Sequence, residues 1–340
     1  MKIDIEERVF HFKQPAGTSR GVYTERRSWF VEIHDDDRCG VGECAPLPDL
    51  SCDALPPQLY DEVLRGFCGQ VEQTGEIPYE AMRDYPSMLF GLETAMLDTT
   101  HHRLFDTSFS RGEVGIPING LVWMGTYEEM LTRMEAKLEQ GFRCVKLKVG
   151  AIDFDRELEL VRRIRERFSP REVELRLDAN GGFTPAEALY RLELLSQYAV
   201  HSIEQPIRQG HWADMAELCR DAPLPIALDE ELIGVNDLEQ KRQLLRIVKP
   251  AYIVLKPSLH GGMAGCREWI GIASEEGVGS WMTSALESNV GLNAIAQLCS
   301  DVYGDRITMA QGLGTGQLFT DNIPYPLEIR GDRLWITSHS

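Results

Sequence analysis

The sequence contains no apolar run of 18 residues, no C-x-x-C pair and no surplus of basic residues. The first absence excludes a membrane-spanning helix, which needs about 20 predominantly apolar residues to cross the hydrocarbon layer. The opening stretch MKIDIEERVFHF also carries no apolar signal-peptide core, so neither export nor membrane insertion is expected. With 53 acidic against 35 basic residues the formal charge is −18. Nucleic acid and anionic membrane are thereby excluded as partners, because both require a clustered positive surface. Eight cysteines, at 39, 44, 52, 68, 144, 219, 266 and 299, follow no disulfide or metal-binding framework, so reduced thiols in a cytoplasmic protein are expected. A small-molecule partner remains, with a homo-oligomer left open.

What the sequence does contain is a regular series of charges. Lys148 (with Lys146), Asp178, Glu204, Asp229 and Lys256 each end a short aliphatic run, at intervals of 30, 26, 25 and 27 residues. One strand, one helix and two loops of a β/α barrel consume about that length. At 340 residues the chain accommodates such a barrel of roughly 250 residues and a smaller domain.

The smaller domain comes first. Residues 2–13 and 26–34 alternate like half-buried antiparallel strands, and Asp35, Asp36 and Asp37 form a polar turn into a third strand at 39–44. Residues 55–68 and 87–104 show helical spacing. Residues 1–110 therefore read as α+β, with a Gly-containing loop at 15–23 expected to act as a lid. From Ile116 strands and helices alternate. Thr126 with Glu129, and Thr184 with Pro185 and Glu187, match the capping box that opens a helix. One stripe comprises Met130, Leu131, Met134 and Leu138, and the next Leu158, Val161 and Ile164.

Side chains of a barrel strand alternate between interior and helix layer. Lys146 and Lys148 share one face, Arg176 and Asp178 another, and Glu204, Asp229 and Lys256 follow the same phase, with aliphatic neighbours facing outward. Asp229 is in phase with Ala227, whereas Glu230 serves only if the strand bulges there and otherwise backs the ligands. Three converging carboxylates repel by about 4 kcal/mol per pair at 4 Å and an effective dielectric of 20, so a cation is required. An all-oxygen set without histidine or cysteine favours Mg²⁺, with Mn²⁺ as a substitute. His201 falls on the outward phase and His260 in a loop, both read as structural. An amine beside such a site suits proton abstraction α to a carboxylate, with Lys146 supplying the positive charge that lowers the Lys148 pKa so that the amine is neutral when it acts.

K-x-K at Lys146 to Lys148, D-A-N at Asp178 to Asn180, I-E-Q-P at Ile203 to Pro206, D-E at Asp229 to Glu230, and L-K-P followed by Gly261 and Gly262 resemble the muconate-lactonizing subgroup of the enolase superfamily. Within it, Ile118-Asn119-Gly120-Leu121, the stretch 283–291 and Gly312-Leu313-Gly314-Thr315-Gly316 are similar to the o-succinylbenzoate synthases.

The resemblance implies an N-terminal α+β capping domain at 1–110, a (β/α)7β TIM-like barrel at 111–316 and a C-terminal segment at 317–340 that returns to the cap. It implies Asp178, Glu204 and Asp229 as metal ligands, with Asn180, Glu230 and Arg176 behind them. Lys148 is implied as the base and Lys256 as the opposing ammonium. Ser284, Ser288, Gly314, Thr315 and Arg20 are implied near a carboxylate substrate, 2-succinyl-6-hydroxy-2,4-cyclohexadiene-1-carboxylate, which is dehydrated to 2-succinylbenzoate on the way to menaquinone. Alternatives are an N-acylamino acid racemase or a dipeptide epimerase, although the D-x-D expected of the latter after the eighth strand is absent. A Schiff-base aldolase needs no carboxylate ring. A non-catalytic barrel leaves the filled ring without a role.

Overall fold

The computed structural model describes residues 1–18, 21–35, 38–98, 102–305 and 307–337. Three antiparallel strands, β1 (Lys2–Thr18), β2 (Gly21–Asp35) and β3 (Arg38–Cys44), form the first sheet in the order β1-β2-β3. Helices α1 (Pro57–Thr74) and α2 (Pro86–Leu97) cover it, and Trp29, Tyr60, Leu64, Met88 and Leu92 fill the space between. Sheet and helix meet closely because β3 is glycine-rich: a Cβ on Gly42 would stand 1.8 Å from the Gly91 carbonyl oxygen.

The expected loop at 15–23 is instead a continuation of the hairpin, with Ala16 paired to Tyr23 and Thr18 to Gly21. The loop expectation is corrected to a long strand pair whose tip, with Arg20, lies outside the described residues. Helix α2 also ends at Leu97 rather than 104, because Asp98 turns extended there.

After the short β4 (Ile116–Pro117), seven strand and helix units follow. They are β5 (Gly120–Val122) with α3 (Tyr127–Glu139), β6 (Cys144–Lys148) with α4 (Phe154–Arg167), β7 (Glu174–Asp178) with α5 (Pro185–Ser196), and β8 (Ser202–Glu204) with α6 (Trp212–Asp221). Then come β9 (Ile226–Leu228) with α7 (Leu238–Val248), β10 (Tyr252–Leu255) with α8 (Gly262–Glu275), and β11 (Gly279–Met282) with α9 (Asn289–Tyr303). β5 to β11 pair in chain order, all parallel. Gln311 and Gly312 take the eighth place: Gln311 N donates to Pro117 O at 2.8 Å, and Gly312 N donates to Met282 O at 2.8 Å. The architecture is thus (β/α)7β with a cap, as expected.

Both capping boxes form: Thr126 N donates to Glu129 Oε2 at 2.8 Å, and Thr184 N to Glu187 Oε1 at 2.9 Å. The α3 stripe buries Met130 and Met134, whereas α4 buries Leu160, Val161 and Ile164 and leaves Leu158 half-buried. The C-terminal segment returns to the cap at 318–321, where Lys13 N donates to Leu318 O, Thr320 N to His11 O and His11 N to Asp321 Oδ1. Beyond it, β12 (Leu327–Arg330) and β13 (Arg333–Ile336) form a hairpin that pairs with β4 at the barrel. Main-chain pairing with an otherwise open two-residue strand draws the tail there.

Cap and barrel are joined at helix N-termini. Glu93 of α2 accepts from Met263 N and Ala264 N in the first turn of α8. The two glycines of the H-G-G sequence permit this: both have positive φ, and a Cβ on Gly262 would lie 2.4 Å from Glu93 Oε2. Burial pushes the Glu93 carboxyl up to about 7 against the two N–H donors, which favour its charged form. A carboxyl raised in the folded state contributes stability that is complete below its unfolded value of 4.5 and is lost as the pH rises through about 7. Glu93→Gln is therefore expected to remove up to roughly 3 kcal/mol of the decline in unfolding free energy between pH 4.5 and 8. Urea denaturation across that range checks it; parallel pH profiles for the two proteins contradict it.

Candidate active site

The strand register assembles the charged groups. Lys148 pairs across with Asp178, and Asp178 with Glu204, so three consecutive strands present one row at their C-terminal ends. Glu204 pairs with Ala227, and Asp229 lies two positions further along the same phase. Below this row Ala227, Val254 and Trp281 plug the barrel floor. The ring sits at the mouth, where barrel enzymes carry out their chemistry.

The amines stand among the acids. Lys146 Nζ lies 2.8 Å from Asp178 Oδ2 and 2.7 Å from Glu204 Oε2. Lys148 Nζ lies 2.9 Å from Asp178 Oδ2 and donates to Asn180 Oδ1 at 2.6 Å. Lys256 Nζ is bound to Asp229 Oδ2. All three acids are buried. Burial alone lowers the Lys146 ammonium, but Asp178 and Glu204 outweigh it and hold its pKa above the usual lysine range. Asp178 is held far below the usual carboxylate range despite burial, by Lys146 and Lys148. Glu204 behaves oppositely: burial, then Asp178, push it well above its usual value, with Asp229 adding to the push. The middle acid of the row thus takes up a proton or requires more positive charge.

Among the described residues no three acidic, histidine or cysteine side chains are already arranged to enclose a metal ion. The interposed ammonium groups account for this. The donor chemistry nevertheless fits a hard divalent cation, because Glu204 Oε1 and Asp229 Oδ1 are buried without any hydrogen-bond partner.

The surroundings hold the ring in place. Asn180, at φ 44°, accepts from Lys148 and donates through Nδ2 to Glu230 Oε1 at 3.0 Å. Glu230 begins a 3₁₀ turn at Glu230–Leu232 and faces Asn180, while Asp229 faces Lys256. His260 Nδ1 accepts from Lys256 N at 2.8 Å, and burial pushes the imidazole down to about 3, which keeps it a neutral acceptor. His201 stacks on Tyr252 and takes no part in the ring. Sequence reasoning missed Gln205, whose Oε1 accepts from Asp229 N and Glu231 N while Nε2 donates to Ile207 O and Glu231 Oε2. Its one signal was a polar residue directly after an acid in a buried strand end.

Two expected residues are corrected. Arg176 does not back the ligands: its Nη1 donates to Ala310 O, its Nε to Glu174 Oε1, and its guanidinium lies 4.4 Å from the Trp281 ring centroid. It braces the floor one layer down. Ser288 does not line the cavity; it is the N-cap of α9, accepting from Val290 N. Ser284, Gly314 and Thr315 do line it, with Lys146, Lys148, Asp178, Asn180 and Lys256. Tyr23, Leu47 and Leu50 reach it from the cap, and Asn119, Leu121 and Trp123 from the first barrel strand.

A family described as "Enolase C-terminal domain-like" matches residues 129–337, and one described as "MenC, N-terminal domain" matches residues 17–99. The chain is 46% identical to the o-succinylbenzoate synthase of Desulfotalea psychrophila, covering 96% of each sequence. The crystal structure of MenC from that organism superposes with a TM-score of 0.82 at 41% identity, covering 99% of both chains. The o-succinylbenzoate synthase of Thermosynechococcus elongatus, complexed with Mg in its active site, shares the fold at a TM-score of 0.74 and 22% identity over 95% of this chain and 96% of that one.

One cavity group invites a stability test. Thr315 Oγ1 is buried without a hydrogen-bond partner. Such a hydroxyl costs about 1–3 kcal/mol when nothing satisfies it. Thr315→Val is therefore expected to raise the unfolding free energy of the unliganded protein by about 1 kcal/mol in urea titration; a loss of stability contradicts this.

Proposed function

We propose that this chain, which belongs to the enolase superfamily, is an o-succinylbenzoate synthase: a lyase that dehydrates 2-succinyl-6-hydroxy-2,4-cyclohexadiene-1-carboxylate to 2-succinylbenzoate in menaquinone biosynthesis. The full-length likeness to the Desulfotalea psychrophila enzyme carries the reading. The amines distributed along a row of acids support it chemically. The eight free cysteines fit a reducing compartment, and on this reading the reaction runs in the cytoplasm.

In this mechanism Lys148, as the neutral amine, takes the proton α to the substrate carboxylate. The electron pair left behind expels the hydroxyl group of the ring, and Lys148 returns its proton to that hydroxyl, so that water departs and the ring becomes aromatic. Lys256, paired with Asp229 in this structure, stays protonated across the mouth and stabilises the negative charge that develops between the two events. Asn180 keeps Lys148 oriented, and His260 fixes the backbone from which Lys256 projects. Lys146 neutralises Asp178 and Glu204. Asp178, Glu204 and Asp229 would hold Mg²⁺, or Mn²⁺ in its place, which when bound supplies Lewis-acid stabilisation of the substrate carboxylate. The cap residues Tyr23, Leu47 and Leu50 and the apolar Trp123 close the cavity around the side arm and exclude water.

Paired lysines also suit a racemase or epimerase, in which each amine serves one face of the substrate. Supplying the cyclohexadiene carboxylate and, separately, N-acylamino acids with Mg²⁺ distinguishes the two. Aromatic product, lost on adding EDTA, is the expected outcome; racemisation without aromatic product favours the second reading. Lys148→Ala is expected to lower kcat by at least about a thousandfold while leaving Mg²⁺ affinity intact, and near-normal turnover overturns the base assignment.

A further inference from the structure

The stretch 283–291 is only partly absorbed by this chemistry. Ser284, Ala285 and Leu286 line the cavity, yet Glu287 and Ser288 point away from it into a buried polar cluster. Glu287 Oε2 accepts from Ser284 Oγ at 2.6 Å and from Ala285 N at 2.7 Å, and its Oε1 accepts from Ser258 Oγ at 2.6 Å. Beside it stands Glu43, at the end of β3 in the cap. Glu43 Oε1 accepts from Ser28 Oγ at 2.7 Å and Ser288 N at 3.0 Å, while Oε2 accepts from Ser288 Oγ at 2.6 Å and Gly291 N at 3.0 Å. Both carboxylates are fully buried.

Two observations indicate that this cluster shapes the cavity wall. Leu286 has φ 67°, a left-handed conformation unfavourable for a leucine and retained only where surrounding contacts impose it. Its N–H is held by Ser284 Oγ at 3.0 Å, and its carbonyl faces the buried guanidinium of Arg26, which also binds Pro46 O and Ala45 O of the cap. Gly291 leaves room for the cluster: a Cβ there would stand 2.7 Å from Glu287 Cβ and 3.0 Å from Glu43 Oε2.

We propose that Glu43 is a positioning residue: acting through Ser288 and the Glu287 cluster, this cap carboxylate holds residues 284–286 in the conformation that fits the substrate's side arm. The inference rests on the dehydratase reading for the identity of that arm. It makes cap docking and cavity shape a single variable, so that substrate affinity depends on a group that never touches substrate.

Two measurements on Glu43→Ala and Glu43→Gln test it. Hydrogen–deuterium exchange of the unliganded protein is expected to be about tenfold faster at residues 284–291 in Glu43→Ala, and about threefold faster in Glu43→Gln, which keeps one acceptor oxygen. In dehydration assays KM is expected to rise about tenfold in Glu43→Ala with kcat within about threefold of wild type, and the glutamine variant to recover most of the loss. If the alanine variant does not fold, the glutamine variant carries the same test. Unchanged exchange at 284–291, or an unchanged KM with only a smaller folded fraction, overturns the proposal. Absence of dehydration by the wild type overturns the dehydratase reading instead, and the exchange data still decide the role of Glu43.

Discussion

The mouth of this barrel is governed by one constraint: three carboxylates buried side by side are unstable unless positive charge lies between them. The chain meets it with ammonium groups on β6 and immediately after β10, so that Lys146 bridges Asp178 and Glu204, and Lys256 rests on Asp229. The upward push on Glu204 marks where the balance is incomplete. Such a cluster is ready for a divalent cation and for an acidic substrate, because either one redistributes charge already held in tension. The supporting groups Asn180, Gln205 and His260 make their bonds with the backbone or side chains of the ring itself, which orients the groups that carry the charge.

The cap answers a second need, enclosure. Its two buried glutamates, Glu43 and Glu93, each accept backbone N–H groups at the start of a barrel helix, α9 and α8 respectively. The exposed amides of a helix N-terminus suit a carboxylate, so the same chemistry serves twice to orient one domain on the other. That orientation brings Tyr23, Leu47 and Leu50 over the charged row. An otherwise apolar lid raises the strength of every electrostatic interaction beneath it.

Much of this was legible in the sequence because period-two alternation fixes which side chains face inward. The phase argument selected Asp229 over Glu230, and in the structure Asp229 meets Lys256 while Glu230 turns toward Asn180. Capping boxes at Thr126 and Thr184 located helix starts for the same local reason. Several of the misreadings involve partners outside the local sequence. Arg176 shares the phase of Asp178, but its length lets it reach down to Ala310 and Trp281. Ser288 reads equally as a binding residue or as the cap of the helix that follows, and its bonds with Val290 N and the distant Glu43 make it the cap. The hairpin at 15–23 looked like a loop because Pro15 and Gly17 mask a strand pairing set by β2. The eighth barrel position, supplied by Gln311 and Gly312, is too short to show any period.

The account turns on whether the buried acids release their lysines to a metal ion, and the most direct measurement is a crystal structure of the protein grown in magnesium. The account predicts one Mg²⁺ bound by oxygens of Asp178, Glu204 and Asp229, with the ammonium groups of Lys148 and Lys256 withdrawn from the acids and directed into the cavity. Acids that remain bound to their lysines at saturating magnesium, with no ion among them, would contradict it.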